Sequence, residues 1–553
     1  MSIDRRLFLG GIALAGLPDN ARAAISAPGA TPAQTTALAA IAAYLEAHRN
    51  HFALPAMGLV VVDGPFTAII QSGTSDYLQK TPLAGREMWQ IGSISKSFVA
   101  LICLQLAAEA KLDLEADIRR YLPEAPLPDD GPFTIRALLD HTTGLPDFNP
   151  SFPADGSKLW RGFAAGMHWS YSNVAYDLLG TMIARLEGKV LAQVIEARIA
   201  RPLGMADTRG AITWRDRDRY TASYSTLRPD RPVMQRNALA PAPWVDVNIG
   251  AGSVASTLPD MARYLRFLVA VGQSKGAPLL SDALAALWLA KPVAQDPAKL
   301  AETYGLGLMH RSDDGRALLH HTGGMVSFSS SFHVDAAAGT GAFASCAIGG
   351  TGYRPRLLTA YAAKVMRLAA AGKPIPPPPA LGPPPADTPA DYPGRYVSGG
   401  ETLELAARGV TLAGITRPIE TPAPDILLTD HPALADFPLV VVRTNGTVIA
   451  IDHGARRFVR GGVAAPLPPT PDRNAARAGH YQSDDPWLGG FTLVARGDTL
   501  FLGGTDPIID IGNDIWRAAE PDWSPERISF GGFVAGRPQI AMLSGRVYER
   551  RDG

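Results

Sequence analysis

The chain has 553 residues, with 52 Lys+Arg balanced by 52 Asp+Glu and 46% hydrophobic residues. That length exceeds one ordinary core and suggests about three to four domains, while balanced charge without a basic stripe argues against nucleic acid as a partner. No apolar run reaches spanning length, so stable membrane insertion is not expected, and two cysteines, Cys103 and Cys346, both in apolar runs, exclude a disulfide framework and a cysteine-based metal site.

Taken in chain order, residues 1–23 form a separate object. Arg5-Arg6 precede a short apolar stretch ending near Leu17, and Ala21-Arg-Ala23 follows as a small-x-small cleavage site. This pattern reads as an export signal of twin-arginine type, with the mature periplasmic protein starting near Ala24. The alternative, a membrane anchor, is opposed by the shortness of the apolar stretch. From Thr31 an amphipathic helix places Leu38, Ile41 and Leu45 on one stripe. Two strand-like runs, Met57–Val62 and Phe66–Ile70, flank Asp63-Gly-Pro, which is hairpin chemistry.

Ile91-Gly-Ser-Ile-Ser-Lys-Ser-Phe98 then opens a helix apolar enough to be buried, with Ser93 at its mouth and Lys96 three residues on along the same face. A hydroxyl and an amine so placed form a nucleophile and a base. The ordinary alternative is an N-cap serine followed by a solvated lysine. Helical patterns follow at Asn173–Leu186 and Leu258–Val271, then strands Ser327–Val334 and Gly341–Ile348, then a helix Leu357–Ala370. Strands at both ends of a helical middle predict one antiparallel sheet built from both termini and packed by helices.

Residues 373–391 are dense in proline and read as a semi-rigid spacer. Beyond it Tyr392-Pro-Gly-Arg-Tyr396 recurs as Arg477-Ala-Gly-His-Tyr481. The octet Leu405-Ala-Ala-Arg-Gly-Val-Thr-Leu412 recurs as Leu493-Val-Ala-Arg-Gly-Asp-Thr-Leu500, identical at six of eight positions. A second proline-rich break spans 464–472. The repeat predicts two small antiparallel β-barrels at 392–463 and 473–553, after a catalytic domain at 24–372; a single longer β domain is the alternative.

Acyl transfer by a serine needs a nucleophile, a base, a proton donor and donors for the oxyanion. Beside Ser93 and Lys96, candidates stand in Trp169-Ser-Tyr-Ser-Asn173, just before a helix, and in His320-His-Thr-Gly-Gly324, just before a strand. In this order Ser93-Ile-Ser-Lys96, Tyr171-Ser-Asn173 and His321-Thr-Gly323 resemble the SxxK, YxN and [KH]xG motifs of the serine β-lactamase and penicillin-recognising family, especially its class C, esterase and D-aminopeptidase branches. Residues 138–146, 201–205, 250–258 and 304–307 also look like that family, so the resemblance covers roughly residues 33 to 370.

The resemblance implies an α+β catalytic domain with Ser93 as nucleophile and Lys96 and Tyr171 handling protons. Asn173 would bind Lys96 or a substrate amide, and the N–H groups of Ser93 and Gly324 would form the oxyanion hole. Gly323 fits a strand edge that a substrate approaches closely. Lysine and tyrosine ordinarily titrate near 10.4 and 10, so whichever is the base must be perturbed. His321 stands where β-lactam-hydrolysing relatives usually carry lysine, which disfavours efficient lactam hydrolysis. Histidine there, together with two C-terminal barrels, resembles the D-aminopeptidase branch. The reading is a serine hydrolase of small peptides or amides, with an esterase or β-lactamase-like activity as alternative, and a catalytically silent binding or assembly protein as the rival of another class. No cofactor or metal is required, and a homodimer stays open. In the second barrel, residues 503–512 are the expected loop to wall the cleft and pair with a peptide amine.

Overall fold

The computed structural model describes residues 23–551 except 229–230, 233, 235–237, 291, 296–301, 383–387 and 462–464; all but Ala23 of the export signal expected at 1–23 and the middle of the first proline spacer lie outside the described residues. The first domain is built on a nine-stranded antiparallel sheet. Its strands are β1 (Ala24–Ser26), β2 (Ala56–Asp63), β3 (Phe66–Gly73), β4 (Val293–Ala294), β5 (Glu302–Gly305), β6 (Leu308–Asp313), β7 (Arg316–Gly324), β8 (Ser329–Asp335) and β9 (Thr340–Cys346), in the order β1-β3-β2-β9-β8-β7-β6-β5-β4. The first and last parts of this domain meet at the centre of the sheet, where Phe343 pairs with Val60.

Alternation in β2 shows why this strand is apolar throughout. Ala56, Val60 and Val62 enter one core while Met57, Leu59 and Val61 enter the other, because the sheet is covered on both faces. One face carries α1 (Pro32–His51) and the C-terminal helix of the domain, Arg356–Ala370. The other carries the helical region, including α2 (Ser95–Ala108), α3 (Asn173–Glu187) and α4 (Leu258–Gln273). Helix α1 starts where expected, at a capping box in which Thr31 and Gln34 bond each other's backbone N–H. Cys103 and Cys346 are both buried free thiols.

Each C-terminal repeat closes into an eight-stranded antiparallel barrel, one from Gly394–Ser398 to Arg456–Arg460 and the other from Gly479–Gln482 to Arg546–Arg551. Closure leaves no edge strand in either. The repeated aromatic entry has a shared structural reason: Tyr396 Oη donates to the Tyr392 carbonyl at 2.5 Å, and Tyr481 Oη to the Arg477 carbonyl at 2.8 Å, pinning each first strand four residues upstream. Buried Arg496 bonds buried Asp452 at 3.0 Å and ties the barrels together.

The expected cleft wall at 503–512 is elsewhere. Asp506–Asp510 is a strand of the barrel wall, Gly504 lies against Phe437 and Pro438 of the first barrel, and Asp510 pairs with Arg473 at 2.6 Å. Parts of the second barrel that reach the first domain include the loop around residues 523–527 and the turn 544–546. Trp523 stacks on His168 with ring centroids 4.5 Å apart, Trp160 Nε1 donates to the Pro525 carbonyl at 2.7 Å, and Arg546 Nε donates to the Phe148 carbonyl at 2.9 Å. Gly162 permits this approach, since a Cβ there would fall 2.3 Å from the Trp523 carbonyl oxygen.

Candidate active site

The helix expected to begin at Ser93 begins two residues later. Ser93 occupies a 3₁₀ turn, Gly92–Ile94, and α2 follows from Ser95 without a side-chain cap. Ser93 is therefore not spent as an N-cap, and the residue is partly exposed. Gly92 has a φ of 55°, and a Cβ at that position would lie 2.8 Å from the Gly324 nitrogen, so the turn packs flush against the end of β7. Ser93 and Gly324 are thereby brought side by side. Gly323 serves the same packing: a Cβ would stand 1.9 Å from the Ile91 carbonyl oxygen. The close neighbour is thus the chain's own turn, further held by Ser330 Oγ donating to Ile91 O at 2.8 Å.

Neighbouring Ser95 is buried, with Oγ accepting from the Val254 N–H at 3.0 Å, which separates it from Ser93 in role. Lys96 is fully buried among three acceptors: Ser93 Oγ at 3.2 Å, Asn173 Oδ1 at 2.6 Å and the Ala251 carbonyl at 2.8 Å. Rings of Tyr171 and Tyr176 face its ammonium at 4.8 and 5.4 Å. Burial pushes Lys96 down to about 7, against the opposing pull of the Asp147 and Asp177 carboxylates. Tyr171 moves the other way. Burial raises its phenol well above the ordinary tyrosine value, although its hydrogen bond to Ser93 opposes the shift.

Asn173 is the first residue of α3, following the Ser172 cap. Its N–H donates to Asp147 Oδ1 at 2.8 Å, and one turn on Asp177 Oδ1 accepts from the Ala251 N–H at 2.9 Å. Both half-buried carboxyls are pushed up by desolvation, with Lys96 pulling them down. The loop carrying Ala251 is seated by glycine, since a Cβ at 250 would fall 2.0 Å from the Tyr176 carbonyl oxygen. His141, with a φ of 59°, accepts from the Ser172 N–H at 3.1 Å and packs on Tyr171 with ring centroids 4.4 Å apart.

His321 is 1% exposed. Its Nδ1 donates to the Thr322 carbonyl at 2.6 Å, which leaves Nε2 to accept from Tyr304 Oη at 3.3 Å. Burial lowers its pKa to about 3, so the ring is neutral near pH 7. The cation at this end of the site is Arg354, which the sequence reading missed. A Cβ at Gly324 would lie 1.9 Å from Arg354 Nη2; Nη1 bonds Ser329 Oγ and the Tyr353 carbonyl, and no carboxylate pairs with the guanidinium among the described residues. Asp147, Asp177 and Arg354 had weak signals at best: Asp177 lies one helical turn from Asn173 on the same face, and Arg354 just precedes the last helix of the domain.

A serine between a buried lysine and a tyrosine, at the mouth of a buried helix and beside a strand-end glycine, can perform acyl transfer. The family model for Beta-lactamase matches residues 41–365, more than half of the chain. The chain belongs to the Beta-lactamase family. It is a serine hydrolase of that family with two closed C-terminal barrels. Among curated relatives it is 28% identical to Esterase EstB of Burkholderia gladioli over 290 residues, which are 47% of this chain and 71% of that protein. It is 27% identical over 228 residues to the D-alanyl-D-alanine-carboxypeptidase/endopeptidase AmpH of Escherichia coli (strain K12), covering 38% of this chain and 56% of that protein. The octameric penicillin-binding protein homologue from Pyrococcus abyssi superposes with a TM-score of 0.52 at 18% identity, covering 76% of this chain and all of that one, a likeness of fold.

Proposed function

We propose that this Beta-lactamase family protein hydrolyses small peptides or amides through an acyl-enzyme on Ser93, with Lys96 as the base. The observation that carries the reading is the set of acceptors around Lys96. Two of them, the Asn173 amide oxygen and the Ala251 carbonyl, can only accept. A neutral amine spends its two protons on them and turns its lone pair to the third neighbour, the Ser93 hydroxyl. Burial, by bringing Lys96 to about 7, supplies that neutral amine at physiological pH. Tyr171, kept protonated by burial and hydrogen-bonded to Ser93, is the donor to the leaving group. The backbone N–H groups of Ser93 and Gly324 receive the oxyanion.

The unpaired guanidinium of Arg354 beside Gly324 supports a substrate with an anionic group near the scissile carbonyl, such as the carboxylate of a short peptide. Neutral His321 orients Tyr304 in this reading and makes no charge contact. A second reading, carboxylester hydrolysis, is favoured by the EstB relationship. The Arg5-Arg6 signal pattern supports export of the folded chain to the periplasm.

Incubation with a fluorophosphonate followed by peptide mass mapping tests the acyl-enzyme: modification on the peptide carrying Ser93 is expected, and none there overturns the reading. Parallel turnover of short peptides, amides and esters separates the two readings. A kcat/KM for esters far above that for every peptide and amide selects the second.

A further inference from the structure

The second barrel does more than rest against the catalytic domain. Its Glu526 is inserted at the point where the chain leaves the 138–146 motif: the Asp147 N–H donates to Glu526 Oε1 at 2.6 Å. The other oxygen, Oε2, accepts from the Ser544 hydroxyl of the same barrel. Ser544 is locked in turn, because its N–H donates to the Arg527 carbonyl at 2.6 Å and its Oγ accepts from the Arg527 N–H at 3.2 Å. Glu526 thus stands on a cross-linked pair of barrel loops and fixes the backbone of Asp147. The Asp147 carboxylate fixes the N–H of Asn173 at 2.8 Å, and Asn173 Oδ1 accepts a hydrogen bond from Lys96 Nζ at 2.6 Å. Every link is a hydrogen bond to a specific atom, and the path runs from the barrel to the amine in three residues.

We infer that Glu526 is a positioning residue of the catalytic centre, so that the second barrel completes the geometry of the Lys96 base in cis. The inference rests on the acyl-transfer reading of Ser93 and Lys96. Asp147 would otherwise end an exposed turn, since Phe148 beside it is 56% exposed and Gly545 of the barrel covers Asn149 so closely that a Cβ there would fall 2.6 Å from Asn149 Oδ1. With the barrel oxygen removed, the Asp147 N–H loses its buried acceptor and the carboxylate above α3 loses its fixed origin. Misplacing a catalytic group by a fraction of an ångström to an ångström costs on the order of 10- to 100-fold in rate.

The test compares full-length Glu526→Ala, Glu526→Gln and Trp160→Phe with the parent protein. Measured are the rate of fluorophosphonate labelling of Ser93, kcat and KM for a small ester, and the thermal midpoint. Glu526→Ala is expected to lower kcat and labelling by about 10- to 100-fold with KM nearly unchanged. Glu526→Gln, which keeps an amide oxygen for the Asp147 N–H, is expected to restore most of the loss. Trp160→Phe, which removes the bond to Pro525 but leaves Glu526 intact, is expected to match the parent. Parental kcat in Glu526→Ala, equal loss in the Ala and Gln variants, or an equal loss in Trp160→Phe each overturns the positioning role. If Glu526→Ala does not fold, a Gln variant with parental midpoint and tenfold lower kcat overturns it as well. Absence of Ser93 labelling in the parent would instead overturn the acyl-transfer reading itself.

Discussion

Replacing Asp177 by asparagine isolates the charge that keeps Lys96 from falling further. The substitution keeps an Oδ1 to accept the Ala251 N–H, so the loop whose carbonyl holds Lys96 stays in place. What is lost is a half-buried negative charge. Burial alone drives Lys96 down from its ordinary 10.5, and Asp147 and Asp177 are the carboxylates that oppose it. The remaining neighbours of the amine carry no negative charge: Ser93, Asn173, the rings of Tyr171 and Tyr176, and the neutral imidazoles of His141 and His321. Asp177 itself faces Ser151 and feels Arg546, whose positive charge stays behind after the substitution and lowers the Lys96 pKa in the same direction as the loss of the carboxylate does. At an effective dielectric constant of ~20, opposite charges ~7 Å apart attract by about 2 kcal/mol, equivalent to about 1.5 pH units. Since the neutral amine is the active form, kcat/KM rises with pH through the Lys96 pKa, and Asp177→Asn shifts that acid limb downward by one to two units. The assay is kcat/KM for a small aryl ester from pH 5 to 9, with circular dichroism confirming the fold at each pH. An unmoved limb, or one shifted upward, refutes Lys96 as the titrating base. A Tyr171 base would put its limb far above neutrality, because burial raises that phenol.

Ser93→Ala is expected to abolish turnover with an unchanged thermal midpoint, whereas Ser95→Ala, which removes the acceptor of the Val254 N–H, lowers the midpoint and costs about 1–2 kcal/mol in denaturant unfolding. Lys96→Ala and Tyr171→Phe each lower the acylation rate by orders of magnitude, and stopped-flow measurement of the double variant gives far less than the summed loss, since both bond the same hydroxyl. Arg354→Met raises KM for substrates carrying a carboxylate by at least tenfold and leaves KM for neutral esters unchanged, as read from paired Michaelis curves. Acid destabilises the fold through its buried imidazoles: His48, His321 and His333 are held at about 3 in the folded chain against an ordinary 6.5. The unfolded chain therefore binds up to three more protons at these sites between pH 6.5 and 3, which lowers stability as pH falls by about 4 kcal/mol per unit. Asp140, Asp147 and Asp177, each raised toward 6, offset part of this below pH 6, while His310, lowered to about 4, and His141 and His320, lowered well below 6.5, add to it, so a urea titration is expected to show stability falling as pH drops below 6.5.

Local pattern carried the parts of this molecule that are settled by near neighbours. The β2 and β3 hairpin, the buried helix after Ser93 and the two barrels are each specified by periodicity or by a repeated octet, because a half-buried strand or a hydrophobic helix writes its environment into every turn. The three motifs are short for the same reason: a lysine three residues after a serine shares its face, and an amide beginning a helix points back at it. Legibility stopped where one element depends on another far along the chain. Gly323 was read as leaving room for a substrate, yet it makes room for the Ile91 carbonyl, a partner 232 residues earlier that no window contains. The stretch 503–512 had glycines and carboxylates, but the first barrel takes up its glycine and Arg473 its aspartate. Glu526 had nothing to mark it, being one acidic residue among many in a β-rich tail, and its meaning comes only from the N–H it meets 379 residues away. That division has a physical cause. A nucleophile and its base must be close and can be encoded within one helical turn, whereas the carboxylates that set the charge on the base act through space and can be supplied from any element that docks nearby. In this chain they come from the turn after residue 146, from α3 and, through a backbone N–H, from a different domain, so the catalytic power of a locally written motif is tuned by contacts that only the folded chain brings together.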